Sequence, residues 1–212
     1  AGAAISEFAR GGDPYAIRHR VQITSFGGSG TTALTQSFVD AGLDLPKGPG
    51  QWPHKHTRRP PAAADVPDGF RVVYPVGDPR DAVLSVFRRG YQRGHWRALH
   101  DAPADAVTPA FLDSLETFLA RADDEFDLTG HLDAWLRHPP GYPVMVVRFD
   151  RIDEAWDELA EFVGLPEDHP RLTFAARATD WRAAPSVVRD RIDERYGALA
   201  RRIAGFEATQ VV

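Results

Sequence analysis

The chain has no cysteine, and Met145 is the only methionine among its 212 residues. The absence of cysteine excludes disulfide bonds, thiolate catalysis and zinc sites built from cysteine. No apolar run approaches the roughly 20 residues that a membrane-spanning helix needs. The first residues, AGAAISEFARGG, also lack the apolar core of a signal peptide. The sequence therefore predicts a cytoplasmic protein without a membrane span.

Lysine is nearly absent: the chain has two lysines, Lys47 and Lys55, and 23 arginines. The net charge of −5 argues against a nucleic-acid partner, since domains that bind nucleic acid are normally basic. Positive charge is nevertheless concentrated in residues 47–97, which hold ten Lys or Arg and four acidic residues. This segment carries +6 and the remainder −11. Such a basic segment favours a small anionic ligand, with a solvated arginine-rich surface as the alternative.

Three short apolar runs, Arg20–Phe26, Phe70–Val76 and Pro143–Phe149, predict buried strands. A helical pattern follows each run, and Asp78 and Asp153 are the expected N-caps of the second and third helices. Strands that alternate with helices form a parallel sheet covered by helices. The sequence therefore predicts an α/β fold of three layers, with a central parallel sheet flanked by helices.

Two further helical regions are expected in the second half of the chain. One spans residues 109–137, with a break near Thr129 and Gly130, and the other spans residues 185–203. Both are expected to pack on the sheet.

The length predicts a single domain over residues 1–212. Residues 1–19 are expected to form an N-terminal extension. Residues 43–69 are dense in proline and glycine and too long for an ordinary connection, which predicts a functional loop at the active site.

A glycine-rich segment, SFGGSGTT, joins the first predicted strand to the first predicted helix. Glycines let a backbone wrap around a phosphate, and the N–H groups at a helix start attract it. The expected phosphate ligands are Gly27, Gly28, Ser29, Gly30, Thr31 and Thr32. A Walker loop would place a lysine where Thr31 stands. The segment therefore predicts a bound phosphate with neither a γ-phosphate nor a metal ion.

Three segments together resemble the sulfotransferases that use 3′-phosphoadenosine 5′-phosphosulfate (PAPS). That family's 5′-phosphosulfate loop is similar to SFGGSGTT, and its 3′-phosphate segment is similar to FRVVYPVGDPRDAVLSVFRRGY. Its closing strand and helix are similar to PVMVVRFDRIDEAWDELAEFVGL, so the resemblance extends from Arg20 to Leu165. It implies a P-loop-like fold, PAPS as co-substrate without a metal, and transfer of the sulfuryl group to a hydroxyl of a small-molecule acceptor.

The chain departs from the family pattern at two cationic positions. Gly28 replaces the loop lysine of many members, and Gly77 replaces the arginine that usually grips the 3′-phosphate. The resemblance implies that Ser85 binds this phosphate. Arg88 and Arg89, one helical turn further on, are the expected replacements for the missing arginine.

The segment PHKHT supplies the candidate catalytic residues. Histidine, with an ordinary pKa near ~6.5, suits a general base at neutral pH. In the cytosolic branch of the family a Lys-Thr-His segment lies about twenty residues before the 3′-phosphate motif, and His56 lies 21 positions before Gly77. The resemblance thus implies His56 as the base and Lys55 as a contact of the sulfuryl group. His54 is a further candidate in the same segment.

Other histidines and other functions are weaker alternatives. His95 and His100 flank Trp96 and are alternative bases or acceptor contacts, and the eight histidines show no metal-ligand spacing. A P-loop kinase or nucleotide hydrolase would share the predicted fold, but it needs the Walker lysine and a magnesium aspartate. A non-catalytic nucleotide-binding protein would tolerate the missing lysine and arginine.

Overall fold

The computed structural model describes residues 17–45, 54–137, 140–166, 169, 171, 174 and 178–212. Within these residues, strands β1 to β4 span Val21–Ile23, Arg71–Val76, Val144–Arg148 and Thr209–Val211. Helices α1 to α7 span Thr31–Asp40, Pro79–Arg88, Gln92–Leu99, Leu115–Leu119, Leu128–Leu136, Ile152–Val163 and Ser186–Ala204. Short 3₁₀ turns lie at His54–His56, Ala63–Asp65, Ala110–Leu112, Phe149–Arg151 and Trp181–Ala183.

The four strands form one open sheet in the order β1-β2-β3-β4. Strands β1, β2 and β3 are parallel, and β4 pairs antiparallel with β3, with Gln210 opposite Val146. The predicted α/β class and its parallel strands are confirmed. Strand β1 is shorter than predicted, because the chain leaves the sheet after Ile23. Strand β4 lacks the apolar run on which the other three are predicted.

Helices pack on both faces of the sheet because alternate strand residues point to opposite sides. On one face Val72, Tyr74 and Val146 share a core with the apolar sides of α2, α4, α5 and α7. On the other face Val73 and Met145 share a second core with α1 and α6. This arrangement brings the starts of α1 and α2 to the carboxyl ends of β1 and β2.

The helix ends test the predicted caps. The Asp78 carboxylate accepts a hydrogen bond from the N–H of Arg80 at 2.9 Å, which confirms the cap of α2. The prediction for Asp153 is wrong, because α6 begins at Ile152 and Asp153 lies in its first turn. Its negative charge still favours the helix start there.

The predicted break at Thr129 and Gly130 is also wrong, because both residues lie inside α5. The helical region divides earlier, between the end of α4 and the start of α5. Gly130 has a packing role: a Cβ there would lie 2.3 Å from Oδ1 of Asp127, the N-cap residue of α5.

The predicted N-terminal extension lies mostly outside the described residues, as does the central part of the 43–69 loop. The described end of that loop, from His54 onward, carries two 3₁₀ turns. Among the helices of the described residues, none has both the length and the apolar character that crossing a bilayer requires.

Candidate functional site

The glycine-rich segment forms a tight turn between β1 and α1. Gly27 (φ 94°) and Gly30 (φ 84°) adopt the left-handed conformation that favours glycine. A Cβ at Gly27 would lie 2.0 Å from Cε1 of His95. A Cβ at Gly30 would lie 2.2 Å from Cε2 of Phe149. Tight packing therefore accounts for these glycines without a ligand, and the case for an anion depends on the groups around the turn.

The start of α1 is the first of those groups. The first turn of a helix leaves N–H groups without helical partners, and its dipole attracts negative charge. The N-cap residue, Gly30, offers no side chain to satisfy them. The Thr31 hydroxyl is occupied by the Ser25 hydroxyl at 2.7 Å, whereas Thr32 is exposed. The six predicted phosphate ligands thus lie together in this turn and helix start, with Ser29 donating to the carbonyl of Gly27 at 3.1 Å.

The 3₁₀ turn His54–His56 lies beside this helix start. The carbonyl of Lys55 accepts hydrogen bonds from the N–H of Ser25 at 3.2 Å and from the Thr24 hydroxyl at 3.1 Å. The Lys55 ammonium donates to the Thr32 hydroxyl at 2.5 Å, across 23 residues of sequence. The structure therefore brings the two predicted motifs together, while the side chain of His54 lies outside what it describes.

His56 is buried, with 7% of its surface exposed. Its Nδ1 lies 2.8 Å from the carbonyl oxygen of Ser25, which can only accept, so Nδ1 carries the proton and Nε2 the lone pair. Burial lowers the pKa of His56 to about 3, and the positive charges of Lys55 and Arg89 act in the same direction. His56 is therefore neutral at pH 7 and has the tautomer that a base acting through Nε2 requires.

His95 belongs to the same site, although the sequence suggests only a secondary role. This α3 residue is buried, and its ring meets that of His56 edge to face at 4.9 Å between centroids. Burial lowers its pKa well below the ordinary value, and the neighbouring His56 lowers it further. No motif in the sequence marks His95, because only folding brings α3 over the glycine turn. His100 stacks on Trp96 at 4.6 Å and its Nδ1 lies 2.8 Å from the Trp96 carbonyl.

His131 is a third buried histidine that the sequence gives no reason to select. Its Nδ1 lies 2.7 Å from the hydroxyl of Tyr74, at the centre of the sheet. Burial lowers its pKa to about 3, and the backbone of His56 partly offsets this effect. The three histidines therefore form one buried cluster beside the glycine turn, neutral at pH 7.

The two candidate arginines of α2 lie in different surroundings. Arg89 lies near the cluster, since its charge lowers the pKa values of Lys55, His56 and His95, and its Nε donates to the Ser85 carbonyl at 3.1 Å. Arg88 instead lines a cavity of about 560 Å³ between α2, α3 and residues 178–184. Ser85 is half-buried on the same helix.

Asp81, in the first turn of α2, has a structural contact. It is buried and accepts a hydrogen bond from the N–H of Trp181 at 2.7 Å. Arg80 stacks on the same indole at 4.0 Å. These contacts hold the Trp181–Ala183 turn on α2.

Lys55 and Arg89 are the two cations of the site. Within the described residues, neither Lys55 nor Arg89 forms an ion pair with a carboxylate, whereas Arg58, Arg80 and Arg93 each do. Two cations beside an open helix start attract an anion.

No cluster of three or more His, Asp or Glu that could hold a metal ion occurs in the part of the chain that the structure describes. Comparison with models of known protein families, with curated proteins and with solved structures found no match.

Proposed function

We propose that this protein transfers the sulfuryl group of PAPS to a hydroxyl of a small-molecule acceptor. One observation carries the proposal: the Lys55 ammonium reaches the Thr32 hydroxyl at the start of α1. Two motifs that the resemblance assigns to the same reaction thus meet in space, although they lie 23 residues apart in the sequence. The parallel strands and the turn after β1 are compatible with a P-loop-like fold.

The donor would lie between the start of α1 and the second half of α2. The glycine turn and the first N–H groups of α1 would hold its 5′-phosphosulfate. Ser85 on α2 and Arg89 at its end would hold the 3′-phosphate of the donor. Arg89 would supply the positive charge that the family arginine, replaced here by Gly77, usually supplies. Arg88, which precedes Arg89, lines the cavity at residues 178–184 instead.

Transfer then needs a base and a stabilised leaving group. The acceptor oxygen attacks sulfur, its proton passes to Nε2 of His56, and the bond from sulfur to the bridging phosphate oxygen breaks. The electron pair of that bond stays on 3′-phosphoadenosine 5′-phosphate (3′,5′-ADP). Lys55 and the N–H groups of α1 face the oxygens on which negative charge grows, which is the main source of rate enhancement in such reactions.

The charges of the site also link donor binding to the base. Burial is the main cause of the low pKa of His56, and the charges of Lys55 and Arg89 lower it further. A polyanionic donor between these two cations would offset their part of the shift and raise the pKa of His56. A base with a pKa nearer to 7 is a better proton acceptor.

Thermal shift with three ligands tests the proposal. We expect 3′,5′-ADP and PAPS to raise the melting temperature without any divalent metal, because the site offers cations and N–H donors. A larger shift with ATP and magnesium would favour a kinase or nucleotide hydrolase instead. No shift with PAPS or 3′,5′-ADP would contradict the proposal.

A further inference from the structure

Helix α5 contacts the segment that carries Lys55 and His56. Its indole donor, Nε1 of Trp135, binds the carbonyl oxygen of Thr57 at 3.0 Å, and Trp135 is fully buried. A buried carbonyl needs such a partner, and the rigid indole fixes the position of the peptide that follows His56.

A second contact lies two turns earlier on the same helix face. Asp127, the N-cap residue of α5, binds the guanidinium of Arg58. Arg58 also donates to the carbonyl oxygen of Leu99 at 2.8 Å, at the end of α3. Arg58 therefore ties the segment to both α5 and α3, the helix that carries His95. Gly130 leaves room for the Asp127 carboxylate.

Between these contacts lies His131, four residues from each of Asp127 and Trp135. Residues with this spacing share one face of a helix. Its ring is held by the Tyr74 hydroxyl and lies against the backbone of His56. One face of α5 thus supports the segment at His56, Thr57 and the adjoining Arg58.

We propose that Trp135, and Asp127 through Arg58, are positioning residues for the sulfuryl-transfer step. They contact the backbone and the flanking arginine of the segment, and among the described residues none of their hydrogen bonds or ion pairs reaches the glycine turn. Donor binding by that turn should therefore survive their loss, whereas the alignment of Lys55 and His56 should not. A misplacement of about 1 Å can cost roughly 100-fold in rate. This inference rests on the proposed function.

The test compares Trp135→Phe with Trp156→Phe. Trp156 is also buried, but it lies in α6 in the core on the other face of the sheet. Both variants remove an indole from a core, and only Trp135→Phe removes the hydrogen bond to Thr57. We expect Trp135→Phe to lower the single-turnover hydrolysis of PAPS, in which water accepts the sulfuryl group and 3′,5′-ADP and sulfate are released, by about 10-fold or more, with the Kd of 3′,5′-ADP changed less than about 2-fold. Trp156→Phe should change neither.

A second readout does not depend on turnover. The chain has only two lysines, so mass spectrometry can follow acetylation of Lys55 by acetic anhydride separately from that of Lys47. The pH dependence of the rate gives the apparent pKa of Lys55. We expect this pKa to rise towards the ordinary lysine value in Trp135→Phe and in Arg58→Gln, as the amine leaves its half-buried position, and to stay unchanged in Trp156→Phe.

The outcomes separate the two proposals. Equal effects of Trp135→Phe and Trp156→Phe on both readouts, or a loss of 3′,5′-ADP affinity as large as the loss of turnover, would overturn the positioning role. Failure of the wild-type protein to bind 3′,5′-ADP or PAPS would contradict the proposed function alone. The acetylation readout would still decide whether α5 positions Lys55.

Discussion

The glycine turn and the segment that carries Lys55 and His56 meet at one site but are held in different ways. The side-chain hydrogen bonds within the turn join near neighbours in sequence, such as Ser25 with Thr31 and Ser29 with Gly27, although Gly27 and Gly30 also pack on His95 and Phe149. The segment is held by hydrogen bonds to residues 23 to 78 positions away, from Thr32 at the start of α1 to Trp135 in α5. In the proposed function, contacts within the turn define where the anion binds, and distant contacts define which side chains face it.

This difference implies that the two regions can be broken separately. Changes in the turn should abolish ligand binding. Changes in the segment, or in the helix behind it, should affect the chemical step while binding survives.

The largest effect is expected for Gly27→Ala in the turn. A methyl group there would lie 2.0 Å from the His95 ring, at a φ of 94°. Strain and overpacking together should lower the free energy of unfolding by roughly 3 kcal/mol or more, and binding of 3′,5′-ADP should be lost. Urea denaturation and calorimetric titration measure the two effects.

Gly42→Ala is the matched control for this change. Gly42 has a similar φ of 93°, but nothing lies within 4 Å of the position of its Cβ. We expect only the left-handed strain, roughly 1 to 2 kcal/mol, and unchanged affinity for 3′,5′-ADP. If both variants bind 3′,5′-ADP equally well, the packed turn is not the binding site.

The buried histidines should make stability depend on pH. The pKa values of His56 and His131 are about 3 in the folded protein, and burial shifts that of His95 in the same direction. In the unfolded chain the ordinary histidine pKa is about 6.5, so the unfolded state binds more protons below that pH. The free energy of unfolding should therefore fall as the pH drops from about 6.5 towards 3.

The free energy of unfolding should change by about 1.4 kcal/mol per pH unit for each histidine. For all three histidines the slope is at most roughly 4 kcal/mol per pH unit. Urea denaturation between pH 7 and pH 4.5 measures it, above the range in which most carboxylates titrate. His95→Gln should reduce the slope by about one third. An unchanged slope in this variant would show that His95 is not held neutral in the folded state.

His56→Ala tests the catalytic part of the segment. If His56 is the base, turnover should fall by roughly 100-fold or more, the usual contribution of a positioned acid or base. The affinity for PAPS should stay nearly constant, because the base contacts the acceptor proton and not the nucleotide. Single-turnover assays with PAPS read both quantities. Turnover near that of the wild type would move the role of base to His54 or His95.

The smallest effect is expected for Ser85→Ala on α2. Loss of one hydroxyl contact to the 3′-phosphate should weaken 3′,5′-ADP by about 10-fold. Adenosine 5′-phosphosulfate lacks this phosphate and should lose almost nothing. Calorimetric titration of both ligands separates the cases, and equal weakening would remove Ser85 from the 3′-phosphate site.

The sequence was sufficient where structure depends on local pattern. The three parallel strands follow from their apolar runs, and the cap of α2 follows from Asp78 before Pro79. The break expected at Gly130 is wrong because that glycine makes room for Asp127, and a local pattern cannot distinguish such a packing role from a helix end.

The histidine cluster could not be predicted for the same physical reason. His95 and His131 lie on helices α3 and α5, and only the packing of these helices on the sheet brings them to His56. The sequence pattern around Trp135 predicts only that this residue is buried in the core. Its hydrogen bond to Thr57 exists only in the folded chain.

Lys55 is the residue at which the two regions meet, so the contact proposed between Lys55 and the sulfuryl group provides the most direct test. Calorimetric titration without magnesium should show that the wild-type protein binds both PAPS and 3′,5′-ADP. Lys55→Met should weaken PAPS by about 10-fold and 3′,5′-ADP by less than about 2-fold, because only PAPS carries the sulfuryl group. Equal weakening of both ligands, or the absence of binding by the wild-type protein, would contradict the proposal.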